Sequence, residues 1–198
     1  MSSVVISGDT SGTVTLQAPT IAGSTVLTLP TGTGTVTVAG VNSNIVSGTA
    51  VASTSGTSID FTGIPSWVKR VTVMFNEVSL SGPDNILVQL GDSGGIEITG
   101  YISSATSINA ASATSGSSST AGFLIMGPGA ANGASGHMIL TNISSNIWIS
   151  SHAGKHQTTN TILGGGSKTL SDVLTQVRIT SSGGANTFDA GSINIMYE

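Results

Sequence analysis

Residues 70 to 80 read Arg70-Val-Thr-Val-Met-Phe-Asn-Glu-Val-Ser-Leu80. Val71, Val73 and Phe75 fall on one side of a two-residue repeat and Thr72, Met74 and Asn76 on the other, the pattern of a strand that turns one face to a core. Working outward, similar short runs occur at Ile86–Leu90, Gly95–Ile102, Gly122–Met126, His137–Ile143, Asn146–Ser151, Leu174–Thr180 and Gly191–Tyr197. With Arg70–Leu80 they make eight strands in about 140 residues, divided by Gly, Ser and Asn turns, which is the spacing of a jelly-roll-like β-sandwich.

Composition leads to the same class. Among 198 residues there are 32 Ser, 27 Thr and 27 Gly, and these small residues disfavour helix, so bundles and coiled coils are excluded. Only 7% of the chain is charged, whereas 38% is hydrophobic, so this is not the highly charged, apolar-poor composition of a disordered polymer. A net charge of −4 and a pI near 5.1 leave no basic field for phosphates, so no nucleic-acid partner is expected. No apolar run reaches the ~20 residues of a membrane span, and the opening MSSVVISGDT lacks the pattern of a signal peptide. Membrane insertion is not expected, and the chain reads as made and retained in soluble form. With zero cysteines there are no disulfides or thiolate metal sites, so stability must come from β packing and subunit association.

Residues 1 to 58 contain one charged residue, Asp9, and the other thirteen lie beyond. That break, near Ser53–Ser58, divides an N-terminal stem, 1–55, from a C-terminal sandwich domain, 56–198. In the stem, Thr13–Gln17, Thr25–Leu29 and Thr35–Val38 read as short strands. Each presents a narrow apolar stripe, and so small a module without disulfides cannot readily close its own core, so other copies of the chain are expected to cover it.

Several groupings invite a chemical reading. Gly91-Asp92-Ser93-Gly94-Gly95 matches, letter for letter, the nucleophile loop of chymotrypsin-like proteases. In that fold the histidine and carboxylate precede the serine, whereas His137, His152 and His156 all follow Ser93, so the segment reads as a turn. Asp84, Asp92 and Glu97 do not have the spacing of a calcium loop and read as turn and edge residues. His152 and His156 lie in Ser-Ser-His-Ala-Gly-Lys-His-Gln-Thr-Thr-Asn, a run that resembles a loop, so they and Lys155 are expected to be solvated polar groups rather than metal ligands. Trp148 alternates with Ile147 and Ile149. If the isoleucines are inside, Trp148 is outside, on a sugar or a neighbouring subunit, and an interface or core position is favoured. The hydroxyl-rich stretches Ser103–Ala121 and His152–Asn160 are expected to be surface loops and, with Trp148, His152, Lys155 and His156, the candidate receptor or interface residues. No catalytic, cofactor-binding or metal residue is expected.

Three stretches, Ile59–Phe75, Val88–Tyr101 and Thr187–Glu198, resemble a domain that recurs in tail fibres and related appendages of tailed bacteriophages, including cyanophages. Gly12–Pro30 looks like a segment found ahead of distal fibre domains, while 103–175 carries little of the likeness. The resemblance implies a virion structural protein assembled in the host cytoplasm, usually a homotrimer, with other virion proteins as partners. Its role would be attachment, for instance to a host surface glycan. The alternative is a capsid-bound head fibre or cement (decoration) protein with no receptor.

Overall fold

The computed structural model describes residues 3–7, 13–17, 45–127, 130, 132–157 and 159–198. The chain forms two compact units, Met1–Asn42 and Ser43–Glu198. In the first, β1 (Ser3–Ser7) and β2 (Thr13–Gln17) pair as an antiparallel hairpin. The strands expected at Thr25–Leu29 and Thr35–Val38 lie outside the described residues.

The second unit holds fourteen strands among the described residues and no helix. They are β3 (Val46–Ser47), β4 (Val51–Ala52), β5 (Ser58–Thr62), β6 (Arg70–Leu80), β7 (Ile86–Asp92), β8 (Gly95–Ile96) and β9 (Tyr101–Ile108). Then follow β10 (Thr114–Ser119), β11 (Phe123–Ile125), β12 (Ala134–Ser144), β13 (Ile147–His156), β14 (Asn160–Thr169), β15 (Gln176–Ser181) and β16 (Phe188–Tyr197). A large antiparallel sheet has the order β10-β9-β14-β13-β12-β6-β16-β3, with β4 also on β16. A smaller one runs β11-β7-β15-β5, with β8 on β7. Residues of both sheets share one core, including Val71, Val73, Met138 and Ile193 from the large sheet and Val88, Phe123 and Ile179 from the small one. The all-β expectation is thus met by two antiparallel sheets in a sandwich-like arrangement.

Each sheet has a sequence reason. In β7, Ile-Leu-Val-Gln-Leu is apolar almost without alternation and is buried on both faces. In β6 the alternation holds through Phe75 and then changes phase, because Glu77 adopts φ 50° and the pairing with β12 and β16 skips there. Val78 and Leu80 consequently point inward where an unbroken repeat would have put Glu77. The bulge needs Gly191 opposite it, at φ 94°, since a Cβ there would run into the Asn76 and Glu77 carbonyls.

Two expectations are corrected. Ser103–Ala121 is not a long loop: β9 and β10 fill most of it as a hairpin in continuous register from Ser103↔Ser119 to Ile108↔Thr114. Likewise His152–Asn160 is mostly strand, the end of β13 and the start of β14. Neither segment has an apolar alternation to announce it. β10 (Thr-Ser-Gly-Ser-Ser-Ser) and β14 (Asn-Thr-Ile-Leu-Gly-Gly-Gly-Ser-Lys-Thr) are held by ladder hydrogen bonds to stronger neighbours rather than by their own propensity. The compact unit also begins at Ser43, upstream of the compositional break, because β3 and β4 pair with β16 and buried Ser53 donates its hydroxyl to the Ala190 carbonyl at 2.8 Å.

Candidate functional site

β13 carries all four candidate residues and divides them between two surfaces. Trp148, Ser150, His152 and His156 face inward and are buried, whereas Ile147, Ile149, Ser151, Ala153 and Lys155 face outward and are exposed. The local sequence alternates Ile-Trp-Ile, apolar on both sides, so strand period alone leaves the phase open. Tertiary packing settles it: the larger indole is 3% exposed and shares a small pocket with Val68 and Leu174, while Ile149 is left at 42%. The histidines, expected in a solvated loop, are therefore interior groups.

His152 is the more isolated of the two. Neither ring nitrogen has a hydrogen-bond partner among the described residues. The ring adjoins a small cavity of about 10 Å³ whose walls include Phe75, Ile125, Ala134 and Ile162. Burial pushes its pKa down to about 4, since charging the imidazole would take an ion out of water with nothing to compensate it. The glycines of β14 make the space: a Cβ on Gly164 would stand 2.5 Å from His152 Cε1 and from the Ser104 carbonyl oxygen. His156 is pushed down by burial as well, and its Nε2 is 2.9 Å from the buried Ser107 hydroxyl. This serine–histidine contact has no carboxylate on the other ring nitrogen, Nδ1, which has no partner. It therefore lacks the orienting group of a hydrolytic triad.

Outward-facing Lys155 forms an exposed ion pair with Glu77 at 2.5 Å. Lys155 and the Ser135 hydroxyl hold the Glu77 carboxyl below its usual range. At another corner of the same face Arg70 pairs with Glu198.

The turn at Gly91–Gly95 is a structural element in a second polar cluster. Asp92 accepts the Gly94 N–H at 2.8 Å and the Ser171 hydroxyl at 2.5 Å, and these bonds hold its carboxyl below the usual range. Beside it Glu97 accepts the Ser171 N–H at 2.7 Å and pairs with buried Lys168. Burial pushes the Glu97 carboxyl up, but Lys168 and Ser171 outweigh it and keep it low. Lys168 also lies 5.2 Å from the Tyr101 ring centroid, and the Tyr101 hydroxyl accepts the Leu90 N–H at 2.7 Å and donates to the Glu97 carbonyl at 3.0 Å. Burial pushes the Tyr101 phenol up. Asp84, by contrast, precedes β7 and accepts from Asn186, so Asp84, Asp92 and Glu97 are not gathered at one point. Ser93 is exposed on the β7–β8 turn, in the small sheet, while all three histidines belong to the large one. Ser93→Ala is expected to change stability by no more than about 0.5 to 1 kcal/mol. It should leave every activity intact, and covalent labelling of Ser93 by a fluorophosphonate probe would contradict the turn assignment.

The tryptophan that the surface presents is Trp67 rather than the expected candidate Trp148. Trp67 is 51% exposed and tilts on Tyr197 with ring centroids 6.0 Å apart. Its neighbours Ser66, Val68 and Lys69 line a small pocket with Asn142, Asn146 and Val173, a loop cluster at one end of the domain that joins amides, hydroxyls and a cation. The available signal was Pro65-Ser66 just before it, turn chemistry that places the next side chain at a loop tip. Compared with protein-family models, with curated proteins and with solved structures, the chain matches none.

Proposed function

We propose that the chain is a non-enzymatic structural subunit of a bacteriophage virion, a short homotrimeric tail fibre with a jelly-roll-like domain that holds the particle to the host surface. One observation carries this reading. His152, His156 and Ser107 are buried, while the outer face of the large sheet offers hydroxyls and aliphatics, with His137 exposed among them and its charges paired as Lys155–Glu77 and Arg70–Glu198. Such a molecule works by contact. The resemblance of Ile59–Phe75 and its companion stretches to fibre domains supplies the setting. Residues 1–42 would dock to the particle.

Recognition of a host glycan then falls to loop tips rather than to the stretches that are strands. The cluster around Trp67, Lys69, Asn142 and Asn146 combines an aromatic face with amides and suits weak contacts that several copies multiply, by ~10² to 10⁴. Replacing Trp67 with alanine in phage is expected to slow adsorption severalfold while particles still assemble, and adsorption at the normal rate would remove this loop cluster from the receptor contact. The wider proposal is tested by locating the protein in intact virions with gold-labelled antibody. Label at the tail supports it. Label confined to the head replaces it with the head-fibre or cement alternative, and particles without label overturn both.

A further inference from the structure

Ile102 is 76% exposed, Leu163 43%, Ile149 42% and Ile147 37%, and all four project from the outer face of the large sheet. The register aligns them with small neighbours. One row across the sheet runs Ile102, Ser167, Ile149, Thr141, Arg70; the next runs Ser104, Gly165, Ser151, Ile139, Thr72; the third, Thr106, Leu163, Ala153, His137, Met74. Isolated exposed aliphatics are ordinary on a protein surface, but several on one face are not.

We infer that this face, from β9 to β6, packs against a second copy of this chain. The inference rests on the reading of the protein as an oligomeric structural subunit. Two properties of the face select that occupant. Its charges are neutralised within the subunit, Lys155 by Glu77 and Arg70 by Glu198, so it offers nothing to a charged partner, whereas in a ring of three copies, the β9 side of one face against the β6 side of the next, no charge is left stranded on contact. Its size is also right. Five strands about 4.8 Å apart and four same-face rows about 6.7 Å apart, the fourth being Ile108, Thr161, Lys155, Ser135, give a field of roughly 650 Å², close to the ~800 Å² per partner of a standard stable interface. Ser, Gly and Ala between the aliphatics let a neighbouring sheet approach to about 10 Å.

The test uses the full purified chain. Light scattering of the wild type is expected to give about three times 19.6 kDa, and the double variant Ile102→Glu/Ile149→Glu a folded species of 19.6 kDa with unchanged far-ultraviolet dichroism. Because the chain has no cysteine, Ile149→Cys offers a second measurement independent of that variant's folding. A short bismaleimide should link Ile149→Cys chains to one another, but not chains carrying Ser182→Cys in the exposed loop after β15. A monomeric wild type, or an oligomer that survives the glutamates and gives no Ile149→Cys link, overturns the inference. Both readouts are made on isolated protein, so they stand or fall apart from where the protein sits in a virion.

Discussion

Replacing Trp148 with alanine should cost about 3 to 5 kcal/mol of folding stability, the loss typical of deleting a buried aromatic and leaving a cavity behind. The indole is 3% exposed and belongs to the core that joins the two sheets. A domain of this size has only about 5 to 15 kcal/mol to lose, so the variant should be largely unfolded near 40 °C or accumulate in aggregates. Trp67→Ala is the internal comparison. Half exposed at a loop tip, Trp67 should cost no more than about 1 kcal/mol. Urea unfolding followed by far-ultraviolet dichroism measures both. Equal losses from the two substitutions would mean that Trp148 does not occupy the inward face of β13.

Acidification should remove roughly 3 kcal/mol of stability through His152. In the folded chain its pKa is pushed down to about 4 against an ordinary 6.5, so between those values the unfolded chain takes up a proton that the folded one refuses. Stability is therefore fully present above pH 6.5, declines as the pH falls, and stops declining on this account below about 4. At ~1.4 kcal/mol for each pH unit the gap gives the stated loss, most of it spent between pH 6.5 and 4.5. His156, also pushed down by burial, adds in the same direction. The lowered carboxyls of Glu77, Asp92 and Glu97 act in a separate window, because their contribution is present above the ordinary carboxylate range and disappears only as the pH falls through and below it. The control is His152→Leu, which replaces two unpartnered nitrogens with a hydrocarbon of similar bulk. It should be at least as stable as the wild type at pH 7 and lose most of the slope between pH 6.5 and 4.5. A wild type whose unfolding free energy is flat across that window would show that His152 reaches solvent or a partner.

The strand content was written in local sequence, because Ser, Thr and Gly penalise helix at every position and the Val, Ile and Phe of β6, β12, β15 and β16 repeat with period two over short spans. That information needs no knowledge of the rest of the chain. Which way a strand faces is different. Ile147-Trp148-Ile149 is apolar on both sides and encodes a period without a phase, and the phase follows from which side the core and the segments carrying Val68 and Leu174 cover. Tertiary packing likewise turns His152 and His156 from loop residues into buried ones. β10 and β14 exist because β9 and β13 have open ladders to fill, and the glycines of β14 are there for the His152 and Phe123 rings that pack against them, neither of which is adjacent in sequence. The bulge at Glu77 likewise depends on Gly191, more than a hundred residues away, so no reading of β6 alone could place Val78 and Leu80 in the core. Local alternation determined that this chain is built of strands; the match between distant surfaces decided which side chains those strands keep inside and which they leave exposed.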